Sequence, residues 1–185
     1  MQNKTIRKVI ITGALGAISI ILSFTLLGFV PWFGGVSLTI MHIPVIIGAI
    51  LEGPLVGLGI GIIFGCSSLL QATIMPRSPS DVWFTNPLLS VAPRLFIGPV
   101  AWLVYYALKR WRIPAIIAAG VAGSLTNTIL VLSAIGLFGY LGWEIIIGIA
   151  VANGLPEAAL AAILTLAVIA AWQRIEIGNK KGADL

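Results

Sequence analysis

The chain has 185 residues, of which 59% are hydrophobic and only 9% charged, and its mean hydropathy is +1.09. Soluble domains carry about 25% charged residues, so a water-soluble globule is excluded; apolar runs close to 20 residues long exclude a membrane barrel, whose strands alternate over about 10. The formal charge of +5 would suit nucleic acid in a soluble chain, but in a membrane chain the position of the cations matters more than their sum, and no nucleic-acid partner is expected.

The apolar runs predict an all-α integral membrane protein of six transmembrane helices, forming one transmembrane domain over 1–185. The first helix spans roughly Lys8 to Val30 and lacks a small-residue cleavage site, so it reads as a spanning helix and not a signal. Pro31-Trp32-Phe33-Gly34-Gly35 then forms an outer turn. The second helix is short, roughly Val36 to Leu51, and Glu52-Gly53-Pro54 turns the chain. The third runs roughly Leu55 to Leu70, and a polar loop follows from Gln71 to Thr85. The fourth runs roughly Asn86 to Leu108, the fifth from near Pro114 to near Phe138, and the sixth roughly Trp143 to Trp172. A proline such as Pro114 suits a first helical turn. The single cysteine, Cys66, rules out an internal disulfide and, among apolar and small neighbours, reads as a packed thiol.

Orientation follows from Lys and Arg. Lys4, Arg7 and Lys8 precede the first helix, Lys109, Arg110 and Arg112 fill the fourth-to-fifth loop, and Arg174, Lys180 and Lys181 follow the sixth. With six spans all of these fall on one side, and the positive-inside rule puts both termini in the cytoplasm. Polar residues within the spans then gather in the outer half or at the centre. His42, Gln71, Asn86 and Arg94 lie towards the outer face, Asn127 near mid-depth, and Asn153 and Glu157 one turn apart on a shared face. The inner half is almost purely apolar. This is the pattern of a pocket open to the outside and closed below.

Arg94 is the costliest of these groups, because an unpaired arginine in hydrocarbon is strongly unfavourable and intramembrane charge marks a functional site. Glu157 is the acid at similar depth, so a pair between them is expected. That pair either clamps two helices or leaves Arg94 to meet a ligand. His42 suits a ligand contact or a packed side chain, and Asn127 and Asn153 suit ligand contact or interhelical hydrogen bonding. Trp32 and Trp83, in outer loops, suit interfacial anchoring or the covering of a bound ligand. Gly13 and Ala17, four apart on the first helix, allow close approach of another helix. Gly57, Gly59, Gly61 and Gly65 make a second smooth face, read as internal. GLGIGIIFG lacks the Lys-Ser/Thr of a phosphate loop, and no catalytic constellation or metal-ligand cluster is present in the sequence, so neither an enzyme nor a cofactor is expected.

The stretches HIPVIIGAILEGPLVGLGIGIIFG (His42 to Gly65), TNPLLSVAPRLFIG (Thr85 to Gly98), TNT (Thr126 to Thr128) and NGLPEA (Asn153 to Ala158) together resemble the substrate-binding S-component of energy-coupling factor (ECF) vitamin transporters. The resemblance covers most of the chain and is nearest the branch associated with pantothenate, with cobalamin as the next substrate. It implies a vitamin ligand captured at the outer face, and substrate-binding roles for Trp32, His42, Gln71, Trp83, Asn86, Arg94, Asn127, Asn153 and Glu157. It further implies docking through the first helix, at Gly13 and Ala17 in place of the family's usual alanine pair, onto a transmembrane coupling subunit carrying two cytoplasmic ATPases. The setting implied is the bilayer of a bacterial plasma membrane. A secondary transporter or channel, the competing class, needs polar residues through the full depth and commonly an internal repeat, and neither is present in the sequence.

Overall fold

The computed structural model describes residues 2–31 and 37–180. In chain order these form α1 (Gln2–Phe24), a tight 3-10 turn at Leu26–Gly28, β1 (Phe29–Pro31), β2 (Ser37–Thr39), α2 (Ile43–Glu52) and α3 (Pro54–Ile74). A second 3-10 segment at Pro79–Thr85 is followed by α4 (Pro87–Ser90), α5 (Ala92–Leu108), α6 (Arg112–Leu137) and α7 (Trp143–Lys180). Among the described residues, five stretches are long and apolar enough to cross a membrane, the short α4 and α5 counting together as one.

Two helix boundaries are corrected. The first helix ends at Phe24, not Val30, and the second begins at Ile43, not Val36. Between them β1 and β2 pair antiparallel, Phe29 opposite Thr39 and Pro31 opposite Ser37, a three-residue pairing within an otherwise helical fold. Five of the six expected spans reach membrane length among the described residues; α2, the sixth, has only 10 residues, about 15 Å against a core of about 30 Å. The cause is Pro44 at the first turn of α2: proline has no N–H to continue a helix from upstream, and it sets the start. Every residue from Ile43 to Ile50 is buried, and α1, α3, α5, α6 and α7 all pack around this half-helix. Non-helical backbone at membrane depth is tolerated where protein shields it, and here protein surrounds it. The outer turn with Trp32 lies outside the described residues. Cys66 is exposed, not packed; its apolar neighbours face outward from α3, as residues facing lipid do.

Helix directions fix the two ends of the bundle. At one end Arg7 of α1 pairs with Glu52 of α2 at 2.7 Å, and Lys109, Arg110 and Arg112 join α5 to α6. At the other, Arg77 donates to the carbonyls of Ser23 in the last turn of α1 and of Thr25 just beyond it, each at 3.2 Å.

α3 and α5 meet along a glycine seam. A Cβ on Gly57 would lie 2.9 Å from the Gly98 Cα, one on Gly65 2.8 Å from the Val91 Cα, and one on Gly61 would collide with the Arg94 carbonyl. Glycine at i, i+4, i+8 lets two backbones touch, as the sequence pattern anticipates for these three. Gly59 faces α1 instead, where its Cβ would meet Thr12 at 3.3 Å. α6 and α7 also run antiparallel in close contact, with Gly120 against Ala162 and Gly136 against Trp143. The hydrophobic core has two parts: a large cluster centred on α2, and a smaller one of Leu89, Val131, Leu132, Ile135 and Ile146 near the end away from the cations.

Candidate functional site

The predicted fourth helix breaks at Val91, between α4 and α5, and the break explains Arg94. Pro93 has no N–H, so the carbonyl four residues back, Leu89, loses its helical donor. The Arg94 guanidinium supplies it: Nη1 donates to Leu89 O at 2.6 Å. Arg94 is 5% exposed, and its guanidinium stacks over the rings of Phe64 and Phe84, 5.4 and 5.3 Å from their centroids, a favourable setting for a cation. Its Nε remains buried without a protein partner.

Arg94 lines a cavity of about 320 Å³ bounded by β2, the Pro79–Thr85 segment, the start of α5, the second half of α6 and the first half of α7. It lies at the end of the bundle away from the Lys/Arg clusters. One wall is polar: Arg94, Asn127, Thr128, Asn153, Glu157 and Thr39. The other is apolar, with Val131, Leu132, Ile135, Leu141 and Ile149, and Trp83, Phe84 and Ser80 form the roof. The Asn127 Oδ1 is buried without a protein partner. Buried polar groups are normally paired, and those that are not call for an explanation. Two of them here, Arg94 Nε and Asn127 Oδ1, belong to residues of one cavity.

Glu157 does not pair with Arg94, contrary to expectation: no ion pair joins them within 4.0 Å. Its Oε1 instead accepts from the Thr39 backbone N–H at 2.7 Å and from the Thr39 hydroxyl at 3.0 Å. The unwound lead-in to α2 thus presents a main-chain donor that a helix would have consumed internally, and the α7 carboxylate takes it.

Of the residues singled out in the sequence, Trp83, Arg94, Asn127, Asn153 and Glu157 converge on the cavity. His42 is fully buried at the foot of β2, outside the lining, with neither ring nitrogen hydrogen-bonded. Asn86 caps α4 by accepting from the Leu88 N–H at 3.0 Å. Gln71 holds the roof segment, donating to Met75 O at 2.9 Å and to Asp81 Oδ2 at 3.3 Å. Asp81 organises that segment further, accepting from the Arg77 N–H at 2.8 Å and the Ser78 hydroxyl at 2.7 Å. Partial burial works against its charge, but these donors outweigh burial and the carboxyl sits below its ordinary pKa. Ser90 ties α4 to the roof through the Phe84 carbonyl. Thr39 and Thr128 were missed in the sequence. Thr39 was hidden inside a helix that does not form, whereas Thr128 stands in the TNT stretch beside Asn127.

Long apolar helices around a cavity, part polar and part apolar, define a multi-pass membrane protein. The family described as "ECF transporter, substrate-specific component" matches residues 7–169, and the chain belongs to that family, whose members are transport components and not enzymes. A "Pantothenic acid transporter PanT" from Lactococcus lactis subsp. cremoris (strain MG1363) is 35% identical over 159 residues, covering 76% of this chain and 80% of the relative.

Proposed function

We propose that this chain is the pantothenate-binding component of an ECF importer. The carrying observation is the buried Arg94 guanidinium, which lines the cavity with an unmatched donor and, among the described residues, no carboxylate partner within 4.0 Å. A carboxylate is the natural complement of such a group, through charge-assisted hydrogen bonds. Pantothenate also carries an amide, two hydroxyls and a pair of geminal methyls. Asn127, Asn153, Glu157 and Thr128 suit the polar groups, and Val131, Leu132 and Ile135 suit the methyls. The relative named for pantothenic acid transport supports the same substrate. A cavity of about 320 Å³ is at the small end of ligand sites and far too small to enclose cobalamin, the second substrate considered.

In this reading the cavity faces outward, both termini are cytoplasmic, and the membrane is a bacterial plasma membrane. The Lys/Arg clusters at the opposite end support that orientation. The bound vitamin is delivered through a transmembrane coupling subunit carrying two cytoplasmic ATPases. α1 supplies the docking face: Gly13 and Ala17 are exposed on it, and a Cβ at Gly13 would meet nothing within 4 Å.

The test is a side-by-side titration of the purified protein with pantothenate and with pantothenol, its neutral alcohol. Wild type binds the acid more tightly. Arg94→Gln weakens the acid about ten- to hundredfold, the range of one charge-assisted hydrogen bond, and weakens the alcohol far less. Equal losses for both, or no preference in wild type, overturn the substrate assignment.

A further inference from the structure

Of the three roof residues, Trp83 carries the largest side chain, on a segment held at its edges by Asp81 and Ser90. Trp83 packs against the apolar cluster of Leu89, Val131, Leu132, Ile135 and Ile146, and it has a further support. Its ring lies parallel to that of Tyr140, with centroids 5.5 Å apart and planes within 10°. Tyr140 sits in the α6–α7 turn, does not line the cavity, and is 38% exposed.

The placement of Tyr140 follows from how α6 ends. Phe138 closes the helix, and Gly139 takes a left-handed φ of +73°. The Gly139 N–H bonds to Gly136 O at 3.0 Å and the Tyr140 N–H to Ile135 O at 3.1 Å. This doubly bonded glycine stop is the Schellman arrangement. It throws the next residue back across the helix end, here towards the roof. Phe138 buttresses the Tyr140 ring from one side, at 6.1 Å and a 47° tilt. An exposed tyrosine has thus been fixed in place by backbone geometry and used to carry a tryptophan.

We propose that Tyr140 is a positioning residue for substrate retention: by stacking on Trp83 it holds the cavity roof shut, and it sets the rate at which the bound molecule leaves. The proposal rests on the cavity being the substrate site. Release past Trp83 requires the two rings to separate. An offset aromatic stack corresponds to about three- to tenfold in an equilibrium.

The experiment compares wild type, Tyr140→Phe and Tyr140→Ala. Two readouts are taken: dissociation of radiolabelled pantothenate after dilution into excess unlabelled ligand, and hydroxyl-radical oxidation of Trp83, read by mass spectrometry without ligand. Tyr140→Ala is expected to release pantothenate about three- to tenfold faster and to raise Trp83 oxidation severalfold. Tyr140→Phe keeps the ring and stays within twofold of wild type in both. An unchanged release rate in Tyr140→Ala, or equal changes in the Phe and Ala variants, overturns the proposal. If wild type binds no pantothenate, the substrate assignment fails separately. The stack is then judged on oxidation alone: a rise in the Ala variant only sustains the clasp, and no rise ends it.

Discussion

The α3–α5 seam and the cavity beside it are built on opposite plans. In the seam, glycines at 57, 61 and 65 remove side chains until backbone meets backbone. In the cavity, large polar side chains are held apart and left with unmatched hydrogen-bonding atoms. Arg94 belongs to both, with its carbonyl against Gly61 and its guanidinium in the cavity. The contrast teaches that the site is rigid on one side because the chain gave up side chains there. The fixed α5 backbone lets one arginine be aimed without an acidic partner.

The largest expected effect comes from breaking the seam. A Cβ at Gly61 collides with backbone, which cannot rotate away as a side chain could. Gly61→Val is expected to destabilise the protein by about 3 kcal/mol, at the upper end for overpacking, and to displace Arg94. Thermal denaturation in detergent would show a fall of several degrees together with weakened pantothenate binding. A variant with wild-type melting and binding would mean the seam is looser than its contacts indicate.

A smaller effect tests the other edge of the cavity. The donors around Asp81 hold its folded-state pKa below the ordinary value. Its contribution to stability is therefore fully present above the unfolded value of about 3.9 and is lost as pH falls through the lower folded-state value. Melting of wild type between pH 6 and pH 3 should fall at the acid end. Asp81→Asn should lack that component and melt lower near neutrality. Parallel curves for the two proteins would show that the roof segment does not depend on this carboxylate.

The smallest expected effect is close to zero. Arg94 and Glu157 have separate partners, Leu89 O and Thr39, so Arg94→Met and Glu157→Gln should act independently on stability. Their coupling in a double-mutant cycle should stay within about 0.5 kcal/mol, the scatter of non-interacting sites. A coupling above about 1 kcal/mol would reinstate the ion pair that depth alone suggests.

Hydropathy made the long helices legible, and the four-residue glycine spacing correctly marked an internal face. Convergence of Trp83, Arg94, Asn127, Asn153 and Glu157 was also readable, because polar residues at similar depth in a bundle have few places to point. The Arg94–Glu157 pair was misread because depth along a helix says nothing about direction around it. Both true partners involve backbone groups freed by local breaks, which hydropathy does not register. Pro93 and Pro44 were the available signals. Each proline identifies where a helix cannot continue, and hence which main-chain groups become free for other use. The apolar run from Leu38 to Ile50 hid the second of these, since a short buried extended segment and a buried helix have the same composition.

The extended lead-in to α2 has a consequence for how the site can change over generations. One of the hydrogen bonds that hold Glu157 comes from the Thr39 peptide N–H, a group that every residue except proline supplies. Substitution at position 39 can therefore alter the neighbouring surface while the carboxylate stays where it is. The walls contributed by α6 and α7 are free to drift towards other small molecules around that fixed point. A main-chain anchor of this kind gives a lineage room to diversify its cargo without first losing its framework.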